Sequence, residues 1–153
     1  MAPTPSRRGS GAATRGLGLS ASRRAIAGPL PKAHFRVFLG QEEVGIESIT
    51  PLHWTEKGHP DEELRQTVTL RRAVSTDRTL YAWRAAVAGG KSDVRDVVIA
   101  QLGEPHGQPI NIWRLEQAVP IRWSGPGLNA LSSEIAYEEL ELNFKSIAWR
   151  TRV

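Results

Sequence analysis

Three groups of side chains in this sequence have types and spacings that could support chemistry, and the first is a run of glutamates. Glu138, Glu139 and Glu141 lie in a segment that alternates like a β-strand. Because alternate strand residues project from one face, Glu139 and Glu141 are expected about 7 Å apart on the same face. Paired carboxylates perform acid–base chemistry when they are buried beside each other. An acidic, solvent-facing strand surface is the simpler interpretation, and we adopt it.

The second group lies in a polar loop, residues 53–65, which contains His53, Glu56 and His59. All three are residue types that bind metals. A zinc site needs three or four ligands in a fixed geometry, and two histidines six positions apart in a loop have no rigid scaffold. We therefore predict solvated loop histidines, with no metal and no cofactor.

The third group is Gly89-Gly90-Lys91-Ser92, which resembles the end of a phosphate-binding loop. That motif requires a glycine where Ala85 stands, and a strand before the loop with a helix after it. Here a helical pattern precedes the glycines, which favours a helix C-cap. The chain also has no cysteine and no Gly-x-Ser-x-Gly nucleophile motif. The sequence therefore predicts that the protein is not an enzyme.

Charge divides the chain of 153 residues into a leader and one domain. Residues 1–32 contain six basic and no acidic residues, whereas residues 33–153 contain 14 basic and 16 acidic residues. The leader is rich in Pro, Ser, Gly and Ala, so we predict that it is disordered. Two functional alternatives are a transit peptide and an electrostatic arm that contacts phosphate or an acidic surface. No apolar stretch is long enough to span a membrane.

Alternation of apolar and polar residues in the domain predicts about six strands. We expect a first strand at 34–39 and a strand-like segment at 44–49, joined as a hairpin by Gln41-Glu42-Glu43. The remaining predicted strands are residues 66–74 (with Val68, Leu70 and Val74 on one face), 94–102, 110–115 with a continuation over 118–123, and 133–144. Pro120 must lie at an edge or a bulge, because proline cannot donate to a ladder.

One helix is predicted between the strands. Thr76 or Asp77 can cap its start, and Gly89-Gly90 ends it. Its apolar stripe consists of Leu80, Trp83, Ala86 and Val87. Trp83 is expected in the core, whereas Trp54, Trp113, Trp123 and Trp149 are candidates for core or interface. The pattern favours a mainly β (α+β) fold, a small β-sandwich or half-barrel with one flanking helix.

Four stretches of the domain match a known family in type and order. They are residues 68–72 leading into 80–83, residues 94–99, residues 113–122, and residues 125–130 running into 133–142. Over residues 34–148 the sequence resembles the phage-type tail tube proteins, which are shared by contractile phage tails, tailocins and extracellular contractile injection systems. The resemblance implies hexameric rings whose strands join into a continuous β-barrel, stacked into a tube.

The resemblance also implies partners and places for the candidate residues. The implied partners are further copies of the chain, sheath and baseplate proteins, and DNA or effector cargo in the lumen. The implied location is a virion or phage-tail-like particle that is assembled in the cytoplasm, and no stable membrane insertion is expected. Glu139 and Glu141 become candidates for a negative lumen along which acidic cargo slides. The candidate ring-stacking loop contains His53, Trp54, Glu56, Lys57 and His59.

Two departures from the family leave alternatives open. The basic leader is an addition, and the loop 53–65 is short and charged where the family often has a longer hairpin. Either departure is consistent with a specialised tube initiator at the baseplate or with a terminal ring. A nucleic-acid-binding module that uses the leader is the alternative from another class, although the net charge of residues 33–153 argues against a basic groove.

Overall fold

The computed structural model describes residue 30 and residues 32–54 and 66–151. Its elements in chain order are β1 (Phe35–Leu39), β2 (Glu42–Val44), β3 (Ser48–Ile49), β4 (Thr67–Ala73), α1 (Thr79–Ala88), β5 (Arg95–Leu102), β6 (Pro109–Ser124), β7 (Tyr137–Asn143) and β8 (Ser146–Thr151). The prediction of a disordered leader falls almost wholly outside the described residues. Among the helices that the structure describes, none combines the length and the apolar character needed to cross a bilayer.

The strands form one continuous antiparallel ladder that the long strand β6 folds into two sheets. The first half of β6 pairs with β5 on one edge and with β8 on the other, which completes sheet I in the order β2-β1-β5-β6-β8. The second half of β6 pairs with β7 and completes sheet II in the order β3-β4-β7-β6. The predicted β-sandwich or half-barrel with one flanking helix is confirmed.

β6 bends from one sheet into the other at Gln117, which has a φ of 55°. The β5–β6 register shifts at this point, and the carboxylate of Asp96 accepts the Gln117 N–H at 3.0 Å. Such an extra residue bends and twists a strand. A second shift lies between Pro120 and Arg122 in the pairing with β7, so the predicted position of Pro120 at an edge or a bulge is confirmed.

The core lies between the two sheets and under the helix. Its buried residues are Val37, Leu39, Val44, Val97, Ile99, Leu115 and Ala118 of sheet I, Val68, Leu70, Leu140 and Leu142 of sheet II, Leu80 and Trp83 of α1, and Phe144. The predicted core position of Trp83 is confirmed. Burying each such side chain contributes roughly 1.5–3 kcal/mol to folding.

Helix α1 has the predicted apolar stripe, with Leu80 and Trp83 buried and Ala86 and Val87 half-buried. Its end is a glycine cap: Gly90 has a φ of 95°, and the Lys91 N–H donates to the Ala86 carbonyl at 3.0 Å. The segment that resembles a phosphate-binding loop is therefore a helix C-cap.

Several sequence predictions about the strands are wrong in detail. The described part of the chain has eight strands rather than about six: the predicted strand 133–144 is only β7 (Tyr137–Asn143), and β8 was not predicted. The first hairpin turns at Gly40-Gln41, because Glu42 and Glu43 already belong to β2. The predicted strand 44–49 is two strands, of which β3 pairs with β4 in sheet II. Val74 is exposed rather than inward, since β4 ends at Ala73. Alternation reveals which faces a strand has, but it does not reveal the strand's partner.

Candidate functional site

Sheet II has a polar face directed away from the core, and the predicted glutamate pair lies on it. β7 lies between β4 on one side and β6 on the other. Glu139 lies opposite Arg71 of β4, and Glu141 lies opposite Thr69. Because Leu140 and Leu142 alternate with the glutamates and are fully buried, both carboxylates project from the opposite face.

Two arginines accompany the glutamates on this face. The Nε atom of Arg71 lies 3.6 Å from Oε1 of Glu139, and its guanidinium stacks 3.8 Å from the Tyr137 ring centre. Arg122 of β6 lies opposite Glu141. A cleft of about 80 Å³ is lined by Thr69, Arg122, Ser124, Glu139 and Glu141. We call these five residues together with Arg71 the polar face; it carries two positive and two negative side chains, so its charge is balanced rather than negative.

A second Arg–Glu pair joins the same two strands on the core side. The Arg72 and Glu138 side chains are only 7% and 6% exposed, and Nε of Arg72 donates to Oε2 of Glu138 at 3.3 Å. Trp123 Nε1–H donates to the other oxygen, Oε1, at 3.0 Å. Arg72 also contacts Asp77, through the carboxylate and through the backbone carbonyl, each at 3.0 Å. We call these four residues the buried ion cluster. The expectation that Glu138 shares the acidic solvent face is therefore wrong.

Asp77 links this cluster to the start of α1. Its carboxylate accepts the Thr79 N–H at 2.9 Å and the Thr79 hydroxyl at 2.6 Å, although Arg78 is the N-cap residue. These hydrogen bonds from Thr79, followed by the one from Arg72, lower the pKa of Asp77 to about 2. The prediction of Thr76 or Asp77 as the N-cap residue is therefore wrong by one or two positions; Asp77 lies just before the N-cap, accepts a first-turn N–H, and fixes the helix to sheet II through Arg72.

Sequence reasoning missed Arg72 and Glu138 as inward residues, although a signal was present. Arg72 stands two positions after the inward Leu70, and Glu138 stands two positions before the inward Leu140. Period-two alternation places both toward the core. A buried charge becomes plausible only once an opposite charge is found facing it, and the partners are 66 residues apart in sequence.

Sheet II ends in two strands that each have one open edge within the described part of the chain. β3 pairs with β4 alone. Residues 119–124 of β6 pair with β7 on one edge, and the β5 pairing on the other edge stops at Ala118. Open edges present N–H and C=O groups that can pair with another chain.

The predicted stacking loop is described only at its beginning. His53 and Trp54 follow the half-buried Leu52, and both are exposed, Trp54 to 61%. Glu56, Lys57 and His59 lie outside the described residues. Among the residues that the structure describes, no three histidine, aspartate or glutamate side chains gather as a metal site would require.

Comparison of the sequence with protein families gives one match. A family model described as "T4-like virus tail tube protein gp19" matches residues 56–148, which is more than half of the chain. No curated protein sequence matches.

Solved structures share the fold at low sequence identity. One is the sheath–tube complex of an extracellular contractile injection system, PVC, with a TM-score of 0.71 and 19% identity, covering 86% of this chain and 97% of the other. The anti-feeding prophage (AFP) tube-terminating cap gives a TM-score of 0.68 at 23% identity, over 82% and 93% of the two chains. Hcp1 from Flavobacterium johnsoniae gives 0.55 at 7% identity, over 78% and 96%.

Proposed function

Since the chain belongs to the family of T4-like virus tail tube proteins, we propose that it is a structural subunit of the inner tube of a phage-tail-like contractile particle. In this proposal, copies of the chain close into hexameric rings, and the rings stack into a tube with a central channel. A sheath surrounds the tube, the tube stands on a baseplate, and assembly takes place in the cytoplasm. The proposed role is architectural and involves no catalysis.

The single observation that carries the proposal is the form of sheet II. Its inner face is covered by sheet I and α1, its outer face is polar, and both of its edges are open in the described part of the chain. A curved sheet with these properties completes its hydrogen bonding when the β3 edge of one copy meets the β6 edge of the next. Closing the ring in this way removes every open edge of sheet II.

The polar face would then line the channel, with Glu139, Glu141, Arg71 and Arg122 toward the lumen. A balanced face gives DNA or an effector protein neither a strongly attractive nor a strongly repulsive wall. Ring stacking is assigned to the segment that begins at His53 and Trp54, because both side chains are exposed where the chain leaves sheet II.

Electron microscopy of the purified full-length protein in negative stain tests the proposal. We expect rings with six-fold symmetry, and short tubes at higher concentration. Protein that stays monomeric at high concentration, in a source particle that has no sheath, would contradict it.

A terminal or baseplate-proximal ring is the second candidate. Its specific support is the fold shared with the AFP tube-terminating cap, at a TM-score of 0.68 and 23% identity. Quantitative mass spectrometry of the intact particle separates the two roles. A tube subunit is present in many copies for every baseplate, whereas a terminal ring contributes one ring only.

A further inference from the structure

The segment between β6 and β7, residues 125–136, exposes large apolar side chains, and we call it the arm. Leu128 is 85% exposed, Leu131 is 96% exposed and Ile135 is 64% exposed. Local hydrogen bonds order the backbone between them: the Asn129 carboxamide oxygen accepts the Leu131 N–H, and the Asn129 carbonyl accepts the Ser132 N–H, each at 3.0 Å. Exposed apolar side chains grouped on one segment are typical of a surface that another protein covers.

An apolar groove opens between the two sheets at the other end of sheet II, beside β3. Its volume is about 620 Å³, and its described lining includes Phe35, Ile49, Leu52, Ile99 and Trp113. These side chains extend the core outward, since Ile99 is buried and the other four pack against the core while remaining partly exposed. The groove is therefore a place where the hydrophobic core reaches the surface.

The strand register relates the arm to the groove. Three cross-strand pairs follow one another across sheet II: Ser48 with Arg71, Arg71 with Glu139, and Glu139 with Ser124. Ser48 belongs to the groove lining. These four residues form one row across sheet II from its β3 edge to its β6 edge. The arm leaves the sheet immediately after Ser124, so arm and groove lie at opposite ends of the same row.

We propose that the arm of one copy occupies the groove of the neighbouring copy in the same ring. This inference rests on the proposed ring, because joining the β6 edge of one copy to the β3 edge of the next brings the arm beside the neighbour's groove. The contact uses a different surface on each copy, and such a head-to-tail contact produces a closed ring when the rotation closes. Leu128, Leu131 and Ile135 would become buried only on assembly.

The first test replaces both leucines in the full-length chain, Leu128→Ser with Leu131→Ser. We expect the isolated chain to keep its melting temperature, because both side chains are exposed there. Ring formation is expected to require a protein concentration about a hundredfold higher, since two leucines lose their burial. Val94→Ser is the matched control, because Val94 is also exposed (52%) but lies outside the arm and the groove.

The second test is cross-linking through introduced cysteines, which is specific because the chain has no cysteine of its own. Leu128→Cys together with Ser48→Cys, treated with a short bismaleimide, is expected to give a ladder of cross-linked species that stops at the size of one ring. Leu128→Cys with Ser92→Cys is the control pair and is expected to stay uncross-linked.

The outcomes separate the inference from the proposed function. Normal ring formation by the double serine variant overturns the arm contact but not the proposed ring. That result is expected if residues 1–29 of the same chain fill the groove instead. Failure of the variant with Leu128→Cys and Ser48→Cys to cross-link in assembled rings also overturns the inference. Failure of the unmodified protein to form rings overturns the proposed function itself.

Discussion

Two Arg–Glu pairs join β4 and β7 one residue apart, and they lie in opposite environments. Arg71 and Glu139 face the outside, with side chains 46% and 47% exposed and a separation of 3.6 Å. Arg72 and Glu138 face the core, with side chains 7% and 6% exposed and a separation of 3.3 Å. The residue types and the strands are the same, so the comparison isolates the effect of burial.

The difference lies in what surrounds each pair. The outer pair is solvated, and ion pairs of this kind contribute about 0–1 kcal/mol to stability. The inner pair has lost its water and depends on Trp123 and Asp77 for its remaining hydrogen bonds. Removing one member of such a pair leaves an uncompensated buried charge, which is strongly destabilising. Replacing both members by apolar residues of similar size, in contrast, is often neutral or stabilising.

The largest expected effect is that of Glu138→Gln. It leaves the buried Arg72 with Asp77 as its only acidic partner in the cluster, and we expect the free energy of unfolding to fall by about 3 kcal/mol. Urea denaturation of the monomer measures the change.

Glu139→Gln is the matched control for Glu138→Gln, because it makes the same chemical change one residue away. We expect a loss of about 0.5 kcal/mol or less there. Equal losses for the two variants would show that burial does not distinguish the pairs.

The next effect is that of Trp123→Phe, which removes the Nε1–H donor to Glu138 while keeping an aromatic ring beside Tyr81. Loss of one hydrogen bond to a buried carboxylate is expected to lower the free energy of unfolding by about 1–2 kcal/mol. Trp149→Phe is the control, since Trp149 Nε1–H donates to Asn111 at an exposed position. If Trp149→Phe lowered the free energy of unfolding as much as Trp123→Phe, the stabilising role of the hydrogen bond in the buried ion cluster would be contradicted.

A smaller effect depends on pH and on Asp77. Its pKa in the folded chain, about 2, lies below the ordinary value of 3.8, so its contribution to stability is complete above about pH 5 and is lost progressively as the pH falls toward 2. The Asp77 side chain is 48% exposed, and solvent screening therefore limits that contribution to about 1 kcal/mol.

Asp77→Asn tests this prediction by removing the titrating group. Between pH 5 and pH 2 the unmodified protein should lose about 1 kcal/mol more than the variant, as measured by urea denaturation at each pH. Parallel pH profiles for the two proteins would refute the assignment of this step to Asp77.

The smallest effect on stability is expected on the polar face. Glu139→Lys with Glu141→Lys should change the unfolding free energy of the monomer by about 1 kcal/mol or less, because both positions are solvated. In assembled tubes the same change makes the proposed lumen strongly positive, so we expect salt-dependent retention of single-stranded DNA. Unchanged DNA retention by intact variant tubes would count against a lumen-facing position for these residues.

The sequence predicts the faces of sheet II well, and the reason is physical. Leu140 and Leu142 alternate with Glu139 and Glu141. That alternation is visible in the sequence because the polarity of each residue reflects whether its own side chain faces the core or the solvent. The glycine C-cap is equally local, since Gly90 supplies the positive φ that the helix end requires.

Features that depend on distant partners were not predictable in the same way. The burial of Arg72 requires Glu138, and the pairing of β3 with β4 rather than with β1 requires knowledge of the whole ladder. The open edges of sheet II are properties of the strand order, which alternation along one strand does not contain. The candidate lumen residues could therefore be named from the sequence, but the arginines that balance their charge could not.

The bend at Gln117 has a mechanical consequence for a tube that is pushed along its length. β6 passes from sheet I to sheet II as one uninterrupted strand, and Asp96 holds the bend by its hydrogen bond to the Gln117 N–H. Force applied to one sheet is thus transmitted to the other through covalent backbone as well as through side-chain packing. In the proposed tube, sliding sheet I against sheet II would require breaking backbone hydrogen bonds of β6.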